Sequence, residues 1–129
     1  MKSSAKHMVV VVAVDDDFRV RESIESLVES AGYTPQLFPT AEDFLRSGKL
    51  AVAACVITDV RMPGMDGLEL QRRIRIDRPT LPVIFISARE DSETRQRALN
   101  EGAVDFLLKP FDAANLLEKI RAALTAAKQ

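Results

Sequence analysis

The sequence has little of several residue types, and each shortage excludes a class of protein. It has one cysteine, Cys55, which cannot form an internal disulfide, so a disulfide-stabilised secreted domain is excluded. Its longest apolar run, residues 8–14, is too short to cross a bilayer. Its 18 Lys and Arg against 19 Asp and Glu give a net charge of −1, without the positive excess of a nucleic-acid binder. We therefore expect a cytoplasmic domain with neither a membrane nor a nucleic acid as direct partner.

The length of the chain is that of one ordinary domain. It has 129 residues, of which 47% are hydrophobic and 29% charged, as is typical of a soluble globular protein. Residues 1–7 are polar and show no periodicity, so we interpret them as a disordered tail or a tag remnant. The fold is therefore expected within residues 8–129.

Short apolar segments alternate with amphipathic ones along this domain. The first segment is continuous and β-branched, which is typical of a strand buried on both faces. Strands are predicted over residues 9–14, 34–38, 53–58, 82–86 and 104–108, each followed by a helix. The run Thr40-Ala41-Glu42-Asp43 predicts a capping box at the second helix. The expected fold is α/β, a flavodoxin-like (βα)5 doubly wound parallel sheet with strand order 2-1-3-4-5.

Polar residues follow four of the predicted strands. They are Asp15, Asp16 and Asp17 after the first strand, Asp59 after the third, Ser87 after the fourth and Lys109 after the fifth. The carboxyl ends of parallel strands meet at one edge of the sheet, where ligands bind. Each residue alone has a structural explanation, such as a helix N-cap for an Asp, a turn for Ser87 or a solvated surface position for Lys109. Their coincidence at strand ends favours a single site.

Clustered carboxylates require a cation. Two like charges about 4 Å apart repel by about 4 kcal/mol at an effective dielectric constant of about 20. Because only oxygen ligands are at hand, the expected ion is Mg²⁺, with Mn²⁺ as a substitute. An ion beside an exposed carboxylate, a hydroxyl and a lysine is typical of a phosphoryl-binding site in which the carboxylate is the acceptor.

Four segments give the chain a resemblance to a known family. They are VVAVDDDFRVRESI, ITDVRMPGMDGLEL, PVIFISA and GAVDFLLKPF, in this order. Together they resemble the receiver domain of two-component response regulators, here over residues 8–129. The resemblance implies a phosphoacceptor rather than a turnover enzyme, with a sensor histidine kinase or a phosphotransfer protein as its partner.

The resemblance also assigns roles to the residues of the site. It implies that Asp59 is the phosphoacceptor, assisted by Lys109 and Ser87. The ligands it implies for the metal ion are Asp15, Asp16, Asp59 and the backbone carbonyl of Arg61. It further implies a cis peptide bond before Pro110.

The same resemblance implies a switch. Ser87 would be drawn to the new phosphate, and the space this vacates would receive Phe106; the alternative is that an aromatic ring in a strand only fills the core. The face formed by the fourth helix, fifth strand and fifth helix would then control an effector outside this chain or a homodimer. RMPGMDG and DFLLKPF resemble the receivers of transcriptional regulators more than those of chemotaxis proteins, which implies a transcriptional output.

Further hypotheses concern residues at the edge of the site and the alternatives to it. Arg61 and Arg89 are expected at the pocket rim, where they would modulate water access to the phosphorylated residue, unless both are simply solvated.

The main alternative function is a haloacid-dehalogenase-like phosphatase with Asp15 as nucleophile, and a second is a degenerate receiver that only docks. Cys55 is expected to be a buried apolar residue, and Asp17 the cap of the first helix.

Overall fold

Five strands and five α-helices alternate over residues 9–127, the part of the chain that the computed structural model describes. The strands are β1 (Val10–Val14), β2 (Thr34–Phe38), β3 (Ala53–Asp59), β4 (Val83–Ser87) and β5 (Asp105–Leu108). The α-helices are α1 (Phe18–Ser30), α2 (Ala41–Ser47), α3 (Gly67–Asp77), α4 (Ser92–Asn100) and α5 (Ala113–Ala127), with a 3₁₀ turn at Lys49–Ala51. The tail predicted at residues 1–7 lies outside the described residues.

The strands form one parallel sheet in the order β2-β1-β3-β4-β5, which confirms the predicted topology. β1 lies between β2 and β3, so the direction in which strands are added reverses beside it. The end of β1 and the end of β3 are therefore adjacent at the carboxyl edge of the sheet, where a ligand site is expected.

Both faces of the sheet are covered, because the buried residues of each strand alternate between two core layers. One layer holds Val12 and Val14 with apolar residues of α2, α3 and α4. The other holds Val11 and Ala13 with residues of α1 and α5. Cys55 lies in the second layer with no exposed surface, and burial raises the pKa of its thiol to about 12. Its predicted role as a small buried apolar residue is confirmed.

Polar side chains cap the N-termini of α1 and α2. Asp17 Oδ1 accepts the Arg19 amide and caps α1, as predicted. Thr40 Oγ1 accepts the Asp43 amide at the start of α2, but the Asp43 carboxylate pairs with Arg46. Only half of the predicted capping box therefore forms at α2.

Among the described residues, every helix is too short or too polar to span a bilayer.

Candidate functional site

Three carboxylates meet at the carboxyl edge of the sheet. Asp15 and Asp16 follow β1, and Asp59 is the last residue of β3. One oxygen from each lies within 4.8 Å of the other two. Asp15 is buried, Asp16 is exposed, and the Asp59 side chain keeps 10% of its surface exposed. The structure thus brings together the three acids that the sequence predicted at this place.

Asp15 is fixed on both its side chain and its backbone. Its Oδ1 accepts the Asp17 amide at 2.8 Å, and its carbonyl accepts Arg21 Nη1 at 2.7 Å. Its own amide donates to the carbonyl of Phe38 at 3.1 Å. The Asp17 amide therefore holds the Asp15 carboxylate, while Arg21 and Phe38 hold its backbone.

Lys109 supplies a positive charge beside two of the three acids. Its Nζ lies 3.2 Å from Asp59 Oδ2 and 2.9 Å from Asp15 Oδ2. Burial would lower the pKa of Lys109, but the close contacts of its ammonium with the Asp15 and Asp59 carboxylates outweigh burial and raise it. The Lys109 amide donates to the carbonyl of Ser87, and the Lys109–Pro110 peptide is cis, as the resemblance implies. The lysine is therefore charged and directed at the two acids.

The surroundings of Asp59 disfavour its charged form. Burial raises the pKa of Asp59, and the charge of Asp15 raises it further. The charge and hydrogen bond of Lys109, and the Val60 amide that donates to Asp59 Oδ1 at 2.8 Å, offset this only in part. A cation bound beside Asp59 would stabilise its charged form.

The donor set fits a hard divalent cation. The Asp15, Asp16 and Asp59 group offers carboxylate oxygens only. Asp15 Oδ2 is buried, and among the described residues it has the ion pair with Lys109 but no partner in hydrogen-bond geometry. Oxygen-only sites suit Mg²⁺. The acids present therefore match the ion that the sequence predicted.

The two residues expected at the pocket rim, Arg61 and Arg89, are held by different contacts. Ser87 Oγ donates to the carbonyl of Arg89 and accepts the Arg89 amide, at 3.0 and 3.1 Å. Arg61 Nη2 lies 3.7 Å from Asp91 Oδ2, and Asp91 caps α4. Arg61 thus connects the loop after Asp59 to the start of α4.

Phe106 lies inside the protein in this structure. It is 3% exposed, and its ring stacks on that of Phe85 with centroids 6.1 Å apart. Arg95 of α4 covers it, since Nη1 donates to the Phe106 carbonyl at 3.1 Å and the guanidinium lies 5.9 Å from the ring centre. Phe106 is therefore held inside the protein between Phe85 and Arg95 in this structure.

Two residues of the site were not found from the sequence. Arg21 orients the backbone of Asp15, and Gly67 lets α3 approach β3 so closely that a Cβ there would lie 2.1 Å from the Asp59 carbonyl. The glycine before a helical pattern was the only signal for Gly67. Nothing in the spacing distinguishes Arg21 from the neighbouring arginine of α1.

Comparison with known proteins identifies the family. The model of the response regulator receiver domain matches residues 11–121, which is most of the chain. The chain belongs to this family. TodT, a response regulator protein of Pseudomonas putida, is 42% identical over 120 residues, covering 93% of this chain and 53% of TodT. FixJ, a transcriptional regulatory protein of Bradyrhizobium diazoefficiens, is 36% identical over 118 residues, covering 92% of this chain and 58% of FixJ.

Solved receiver domains share the fold. The solution structure of the beryllofluoride-activated NtrC4 receiver domain dimer matches with a TM-score of 0.86 and 29% identity, covering 92% of this chain and 98% of that one. The receiver domain spans about half the length of the curated relatives it matches. None of these matches supports the haloacid-dehalogenase-like alternative. Receiver domains accept phosphoryl groups and bind Mg²⁺ at an acidic pocket, with which the acid cluster is compatible.

Proposed function

We propose that this receiver domain accepts a phosphoryl group on Asp59 from a phosphohistidine of a sensor histidine kinase or phosphotransfer protein in the cytoplasm. The observation that carries the proposal is the difference in access between the two buried acids. Asp15 has no exposed surface, whereas the Asp59 side chain keeps 10% and has Oδ2 beside Lys109. An incoming donor can therefore reach Asp59 and not Asp15.

The transfer is a substitution at phosphorus. A carboxylate oxygen of Asp59 bonds to the phosphorus, the phosphorus–nitrogen bond breaks, and its electron pair stays on the imidazole, which takes up a proton. Lys109 Nζ, 3.2 Å from Asp59 Oδ2, is close enough to neutralise charge that develops on the phosphoryl oxygens. The domain is a phosphoacceptor in this reaction rather than a turnover enzyme.

The ligands that would hold a metal ion are Asp15, Asp16, Asp59 and the backbone carbonyl of Arg61. When bound, Mg²⁺ supplies further neutralisation of the phosphoryl oxygens, and Mn²⁺ would serve in its place. Asp15 is already oriented by hydrogen bonds, because its Oδ1 accepts the Asp17 amide and its carbonyl accepts Arg21 Nη1.

Phosphorylation then alters the face formed by α4, β5 and α5. A phosphoryl group on Asp59 competes with Arg89 for the Ser87 hydroxyl and so moves the loop that leads to Asp91 and α4. Arg95 transmits the movement to Phe106, which we infer to be the second switch residue. This face would control a transcriptional effector outside this chain, or a homodimer, for which the NtrC4 dimer is a precedent.

Labelling by a small phosphoryl donor tests the proposed function. Incubation with acetyl phosphate and Mg²⁺ should place acid-labile phosphate on the chain, and chelation of the metal with EDTA should prevent it. If the labelling is equally strong in EDTA, or if no phosphate is incorporated with Mg²⁺ present, the proposal fails.

The rim arginines should set the lifetime of the phosphorylated form. Arg61→Ala breaks the pair with Asp91, and Arg89→Ala removes a large exposed side chain two residues after Ser87, so water should reach Asp59 more easily. A partly exposed ion pair is worth about 0.5 kcal/mol, so we expect dephosphorylation to be about twofold faster. Arg46→Ala breaks a surface pair with Asp43 elsewhere and is the control. Unchanged decay of radiolabelled protein in both rim variants would refute the role.

A further inference from the structure

One side chain from a distant element holds the loop that follows Asp59. Glu42 lies in the first turn of α2, and its Oε2 accepts the amide of Met65 at 2.8 Å. The neighbouring Gly64 has φ +77°, and a Cβ there would lie 2.5 Å from the same oxygen. The carboxylate and the loop backbone are therefore in direct contact, with no room for a side chain between them.

The other end of this loop is fixed beside the phosphoacceptor. The Val60 amide donates to Asp59 Oδ1, and the Gly67 amide donates to the Val60 carbonyl at 2.8 Å. The loop thus has one attachment at its base, through Val60 and Gly67, and one at its tip, through Glu42. Arg61 lies between these two attachments and contributes the carbonyl proposed as a metal ligand.

Glu42 is well suited to this contact. The hydrogen bond from the Met65 amide is the largest of the effects that lower the pKa of Glu42, so the carboxylate is charged. A hydrogen bond to a charged acceptor is roughly twice as strong as a neutral one. The next residue, Asp43, pairs with Arg46 on the surface and does not compete for Met65.

We propose that Glu42 is a positioning residue for the metal site, which orients the Arg61 carbonyl by fixing the loop tip at Met65. Residues that orient metal ligands without touching the ion change metal affinity by about tenfold or more when they are replaced. The inference rests on the proposed function, because it takes Arg61 as a ligand of the ion.

Substitutions at Glu42 and Gly64 test the contact from both sides. By calorimetry, Glu42→Ala should bind Mg²⁺ about tenfold more weakly than the unmodified domain. Glu42→Gln keeps an acceptor oxygen and should recover part of the affinity, while Asp43→Ala should bind as the unmodified domain does. Gly64→Ala should weaken binding as Glu42→Ala does, because the added methyl group displaces the carboxylate.

Amide hydrogen exchange of Met65 without metal supplies a readout that is independent of phosphorylation. We expect faster exchange in Glu42→Ala and exchange at the original rate in Asp43→Ala. If the unmodified domain binds Mg²⁺ and is labelled while Glu42→Ala and Glu42→Gln keep its affinity, or if Met65 exchange is unchanged, the inference about Glu42 is wrong and the proposed function stands. If the unmodified domain binds no Mg²⁺ and takes up no phosphate, both are wrong.

Discussion

Asp59→Asn should reduce the acid-labile phosphate that the receiver domain takes up from acetyl phosphate to background. The asparagine side chain has nearly the same shape but no anionic oxygen to attack phosphorus, so an acyl phosphate cannot form. The fold should persist, because the substitution removes a charge that burial and Asp15 already disfavour. The measurement is radiolabel retained at neutral pH and lost after acid treatment.

Asp15→Asn is the matched control for this variant. Asp15 belongs to the same acid cluster but is fully buried, so we expect its substitution to reduce labelling without abolishing it. A phosphatase that uses Asp15 as its nucleophile predicts the reverse pattern. Full labelling of Asp59→Asn, or loss of labelling only in Asp15→Asn, would show that Asp59 is not the phosphoacceptor.

Lys109→Met should destabilise the metal-free domain by about 3 kcal/mol at neutral pH, measured by urea unfolding. The methionine keeps the apolar part of the side chain but leaves Asp15 and Asp59 without their shared positive charge. Loss of one partner from a buried ion pair typically costs about 3 kcal/mol or more. Lys119→Met breaks a partly exposed pair with Asp105, so its effect should be about 0.5 kcal/mol.

The destabilisation of Lys109→Met should depend on pH. The raised pKa of Lys109 means that its charge stabilises the folded state at every pH below its unfolded pKa. The raised pKa of Asp59 means that its ionisation lowers stability as the pH rises from its unfolded pKa to its folded pKa, and opposes folding in full above that. Acidification protonates Asp59 and removes one of the two negative charges that Lys109 neutralises, so the loss of unfolding free energy should become smaller. A loss of unfolding free energy that is the same at neutral and acid pH, or no larger than the loss caused by Lys119→Met, would contradict this account of the site.

The parts of the molecule that were predictable follow from backbone periodicity. A continuous β-branched run such as β1 must be buried on both faces, and the alternation of strands with helices requires a parallel sheet. Parallel strands place their carboxyl ends together, so the residues after them had to meet. Asp15, Asp59 and Lys109 were therefore predicted as neighbours although 44 to 94 positions separate them in the chain.

The supporting contacts were not predictable, because they join side chains to backbone atoms of distant elements. Glu42 contacts Met65 only when α2 is packed against the loop after β3, and no periodic pattern in the sequence predicts that contact. Arg21 and Gly67 act on backbone carbonyls in the same way. The inward position of Phe106 depends on stacking with Phe85 and on cover from Arg95, neither of which a strand pattern reveals.

Locating the transferred phosphoryl group on the chain tests the central claim most directly. Borohydride reduces an aspartyl phosphate to homoserine, so treatment after labelling with acetyl phosphate and Mg²⁺ marks the acceptor, which peptide mass spectrometry then identifies. The result expected is homoserine at position 59 and aspartate at positions 15, 16 and 17. Homoserine at any of those three positions, or at none despite incorporated phosphate, would contradict the account.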